Sequence, residues 1–85
     1  MGFEEEWERE LKRLQAERPE LSGEVSEALR RGLNALKAAE KGEYRELHEN
    51  QLQVLNALSR LPEARYAYNN LLNELVDRVR RSRAR

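Results

Sequence analysis

An all-α fold, a small antiparallel helical bundle, is predicted by three observations on this 85-residue chain. Apolar residues recur at spacings of three and four along most of it. The composition is 38 per cent charged and only 6 per cent aromatic, which suits amphipathic helices. The residues that break the pattern, Pro19, Gly42 and Pro62, divide it into helix-sized pieces. The division gives four short helices, or three if residues 43–82 run as one long C-terminal helix kinked at Pro62, an arrangement that would favour pairing with a second copy. A chain of this size buries roughly 60 to 65 per cent of its unfolded surface. One domain over residues 1–85 with one thin core is therefore expected, ending in a short arginine-rich tail from about residue 80, with no deep substrate cavity.

Phe3, Trp7, Leu11 and Leu14 lie four, four and three apart, so one face of a first helix over about 3–17 is apolar. Arg18-Pro19-Glu20 ends it. Ser22 reads as the N-cap of a second helix running to about residue 41, with Val25, Ala28, Leu29, Gly32, Leu33, Leu36 and Ala39 on its inner stripe. A glycine inside a helix costs about 1 kcal/mol against alanine. Gly32 therefore implies a close neighbour, for which Trp7 is the large side chain at hand. Lys41-Gly42 supplies a C-terminal stop. Tyr44, Leu47, Gln51, Val54, Leu58 and Leu61 then keep a heptad spacing through a third helix. Pro62 is tolerated only in a first turn, so Ser59-Arg60-Leu61-Pro62 reads as a corner before a fourth helix over 63 to about 82, with Tyr68, Leu71, Leu72, Leu75 and Val79 inward. Short linkers make consecutive helices antiparallel neighbours and bring both chain ends to one end of the bundle.

Gly42-Glu43-Tyr44, then Ala57-Leu58, then Pro62 to Leu71 with Ala67 and Tyr68 resemble the joint between tetratricopeptide repeats. The resemblance covers about thirty residues and would imply a peptide-binding groove. Tyr44 stands too far before Pro62 for that pattern, Leu47 occupies a place for a small residue, and no period of about 34 residues recurs. The segment is therefore treated as a helical hairpin.

Charge is balanced, 16 basic against 16 acidic residues, but unevenly placed. Glu4, Glu5, Glu6, Glu8 and Glu10 crowd the start; Arg78, Arg80, Arg81, Arg83 and Arg85 crowd the end. Each cluster complements the dipole of its own helix end, and the two attract one another. The five arginines are also the candidate site for an anionic partner, including nucleic acid, whose affinity would fall steeply with salt. Without cysteine, disulfides, thiolate metal sites and cysteine nucleophiles are excluded. No apolar run approaches the ~20 residues of a membrane span, and the acidic start is unlike a signal peptide, so no membrane association and a cytoplasmic location are expected.

Chemistry has little to work with. His48 is the single histidine, Arg45 stands where a Glu-x-x-His site needs glutamate, and the position reads as a boundary residue beside Tyr44, Leu52 and Leu55. Gln51 interrupts an apolar stripe, as a register-fixing polar residue does in coiled coils. No phosphate loop, nucleophile elbow or metal-spaced cluster occurs, so no catalytic, cofactor or metal residue is expected and the chain reads as no enzyme. Tyr66, Asn70 and Asn73 line up on the outer face of the fourth helix. Tyrosine beside asparagine gives large contact area with little side-chain entropy to lose. The resulting expectation is a non-catalytic interaction or assembly module, self-associating as a homodimer or binding another protein through Tyr66, Asn70 and Asn73. A nucleic-acid or nucleoprotein accessory factor acting through the arginines is the alternative.

Overall fold

Four apolar helical stripes have to be covered, and in a computed structural model describing residues 2–83 they cover one another. The order is α1 (Phe3–Glu17), a single 3-10 turn (Pro19–Leu21), α2 (Ser22–Lys41), α3 (Tyr44–Ala57) and α4 (Pro62–Arg83). Side-chain contacts give the directions. Gln15 Nε2 donates to Ser22 Oγ and Ser26 Oγ at 3.1 and 3.0 Å, while Trp7 reaches Leu29 further along α2, so α1 and α2 are antiparallel. Gln51 bonds Asn73 while Tyr44 stacks with Arg80, so α3 and α4 are antiparallel too.

The second helix is the hub: it packs against α1, α3 and α4, whereas α1 and α3 lie apart on its flanks. A helix covered from three sides needs a wide buried arc with small side chains. Val25, Ala28, Gly32, Ala35, Leu36, Ala38 and Ala39 are all buried, while Leu29 and Leu33 of the expected stripe are half-buried. The closest approach is at Gly32, where a methyl group would be driven into the Trp7 indole. Trp7 is wholly buried; its Nε1–H donates to the Leu29 carbonyl at 3.1 Å, and its ring meets Tyr68 edge-on at 6.5 Å. From α3 and its corner come Leu47, Val54, Leu58 and Leu61, and from α4 Leu72, Leu75, Val76 and Val79.

The helix ends have local causes. Gly42, at φ +75°, turns the chain out of α2 in a left-handed cap in which Glu43 N–H donates to Ala38 O and Gly42 N–H to Ala39 O. Ser22 does not act as the expected N-cap. The 3-10 turn that Pro19 starts feeds directly into α2, leaving Ser22 with helical dihedrals (φ −54°, ψ −40°) and its hydroxyl facing Gln15. The single kinked C-terminal helix is not formed either. The chain leaves α3 after Ala57, Leu58 and Leu61 plug the corner into the core, and Pro62, which has no N–H to satisfy, opens α4.

Candidate interaction surface

Among the described residues, Tyr44, Leu52 and Tyr66 are the large core-type side chains left exposed, at 44, 55 and 62 per cent, and all three stand on α3 or α4. Their common ground is the seam between those helices. Gln51 Nε2 donates to Asn73 Oδ1 at 2.7 Å, and Arg80 lies over the Tyr44 ring at 5.1 Å. Residues three, four and seven apart share a helix face. Tyr44, His48 and Leu55 therefore share the face of Gln51, and Tyr66, Asn70, Asp77 and Arg80 share that of Asn73. Leu52, one turn from both His48 and Leu55, forms its outer edge. The middle of this surface carries leucine and the amides of Gln51, Asn70 and Asn73, whereas Tyr44 lies with Asp77 and Arg80 toward one end and Tyr66, about 21 Å along α4 from Arg80, at the other.

The three partner-contact residues expected from sequence are thus placed on one side of α4. Tyr66 and Asn70 are exposed, with the Arg65 guanidinium 5.4 Å from the Tyr66 ring centre. Arg65 Nε is shielded and has no hydrogen-bond partner among the described residues, so the aromatic face compensates part of its charge. Asn73 is exposed as well, but its amide is tied to Gln51 rather than free. Two inward placements on α3 are corrected. Tyr44 belongs to the surface, and Gln51 is half-buried at the seam. Both lie on the edge of the stripe whose centre is Leu47 and Val54, and α2 covers only that centre. His48 is exposed rather than at the core boundary. Leu52 is the surface residue that periodicity missed; its signal is a leucine off the heptad, four residues after His48.

The arginines do not form one free tail. Arg78 turns toward α1, with Nη1 3.5 Å from Glu6 Oε1 and its guanidinium 5.2 Å from the Phe3 ring centre, so the acidic head and basic end attract within one chain. Arg80 stacks on Tyr44, Arg83 lies against Gly42, and Arg81 is exposed. Arg85 lies outside the described residues.

Carboxyls held below their ordinary range are found in the 3-10 turn and α2, away from the α3–α4 seam. Hydrogen bonds from Arg18 lower Glu20, its own backbone N–H and then Arg60 lower Glu24, and Arg30 with Arg31 lowers Glu27. Burial pushes the Tyr68 hydroxyl up. Among the described residues no cluster of His, Asp and Glu is suited to hold a metal ion, and no helix is long and apolar enough to cross a membrane. No family model, curated protein or solved structure gave a significant match to the chain.

Proposed function

We propose that this protein is a non-catalytic assembly module that pairs with a second copy of itself through the α3–α4 surface. The observation that carries the reading is that Tyr44, Leu52 and Tyr66, the large apolar side chains exposed among the described residues, all stand on α3 and α4 and none on α1 or α2. Such a surface suits a like copy. Its middle, with Gln51, Asn70 and Asn73, carries uncharged amides that both donate and accept, so two copies related by a two-fold axis can pair amide with amide.

Size sets the strength. The 14 residues of α3 span about 21 Å, and two adjacent helices are about 20 Å wide, so the patch projects to about 400 Å², below the roughly 800 Å² per partner of a stable complex. The association is therefore weak and concentration-dependent. Light scattering on wild type and Leu52→Glu at matched high concentration tests this. The expected result is a mass above the monomer for wild type and the monomer mass for the variant, with equal helicity by circular dichroism because Leu52 contributes little to the core. Equal masses would overturn the reading. The nucleic-acid alternative is weakened by Arg78, which is occupied by Glu6 and Phe3 instead of extending a basic stripe.

A further inference from the structure

Between the start of α3 and the last turns of α4 lies an open cleft of about 490 Å³, lined by Tyr44, Asp77, Arg80, Arg81 and Arg83. Most arginines elsewhere on the bundle have carboxylate partners: Arg13, Arg18, Arg30, Arg31, Arg60 and Arg78 are all in ion pairs. None of the ion pairs among the described residues uses Arg80, Arg81 or Arg83. Arg80, Arg81 and Arg83 thus line one open depression in which Asp77 is the single acidic residue among the described ones, and the Arg80 guanidinium rests 5.1 Å from the Tyr44 ring centre. Guanidinium forks match phosphate oxygens in charge and geometry, and a stacked, partly immobilised arginine has less entropy to lose on binding than a free one.

We propose that this cleft binds a small polyvalent phosphate, with a diphosphate group as the minimal ligand. The arrangement favours a compact ligand over a nucleic-acid backbone. The three arginines line one open depression on the last turns of a single helix, and Arg78 faces α1 instead of continuing the row. Arg80, Arg81 and Arg83 would donate to the phosphate oxygens, and Tyr44 would keep Arg80 in place.

The test is a titration of the full chain with pyrophosphate at low salt, followed by the Nε–Hε signals of the arginines in NMR spectra. Saturable shifts confined to Arg80, Arg81 and Arg83 are expected. Arg81→Gln should weaken binding about tenfold. Arg30→Gln, on α2 and paired with Glu27, should leave it unchanged, and Asp77→Asn should tighten it severalfold by removing the opposing charge. These positions are exposed, and unaltered backbone spectra would show that each variant is folded. The proposal is overturned if pyrophosphate gives no saturable shift, if Arg30→Gln weakens binding as much as Arg81→Gln, or if a single-stranded oligonucleotide saturates the arginines and pyrophosphate does not.

Discussion

Replacing Gly32 with alanine opposes two effects of known size. Alanine is the better helix former by about 1 kcal/mol, which alone would stabilise α2. The new methyl, however, meets the Cε2, Nε1 and Cζ2 atoms of Trp7, the body of a rigid ring and not the end of a flexible chain. Overpacking of this kind costs about 1–3 kcal/mol. If the indole moves, its Nε1–H also leaves the Leu29 carbonyl, and an unsatisfied buried donor costs about 1–3 kcal/mol more. Subtracting the helix gain leaves a net loss of about 1–5 kcal/mol. At about 4–8 °C per kcal/mol for a domain of this length, the midpoint of unfolding should fall by roughly 4–40 °C. Urea unfolding followed by the fluorescence of Trp7, the chain's single tryptophan, and by circular dichroism measures the loss directly. Trp7→Phe should be less damaging in the Gly32→Ala background than in wild type, because the smaller ring vacates the contested space. A Gly32→Ala protein as stable as wild type, or more so, would refute the packing argument.

Two further perturbations address the helix ends and the charges. Gly42→Ala places a β-carbon on a residue at φ +75° and should cost about 1–2 kcal/mol by thermal unfolding; its contact with the flexible end of Arg83 should add little, and no loss would mean that the left-handed cap is not maintained. Glu24 titrates below its ordinary value near 4.5 because its own backbone N–H and then Arg60 bind the charged form. A carboxyl depressed by folding contributes stability that is complete above the unfolded value and lost as pH falls through the folded value. The stability difference between wild type and Glu24→Gln should therefore shrink as the pH is lowered from about 5 to about 3, whereas parallel stability curves would contradict the assignment.

Most of the bundle was legible because its signals are local. The Phe3–Leu14 spacing, Gly42 and Pro62 mark helix limits by backbone chemistry alone, and Gly32 announces a close neighbour by being costly where it stands. What was hidden depends on which helix covers which. Ala35 and Ala38 give little hydropathy signal, and they are buried only because α2 is the hub. Tyr44 fits the heptad of Leu47 and Val54 but sits on the flank that α2 does not reach. Ser22 has the chemistry of a cap, yet Pro19 starts the turn that makes it helical. The Tyr66, Asn70 and Asn73 row was readable from spacing on one helix. Its continuation through Gln51 to Leu52 was not, because that step crosses from α4 to α3 between residues 22 apart.

The pairing of two copies through the α3–α4 surface is tested most directly by the solution mass of the wild-type chain over a dilution series, at low and at high salt. A mass rising with concentration toward twice the 10.0 kDa of one chain is expected, with little change in salt, since the seam is apolar and amide-rich and the Glu6–Arg78 attraction is satisfied within each copy. A mass of one chain at every concentration would contradict self-assembly, and a dimer that dissolves in salt would move the contact from this surface to the charged ends.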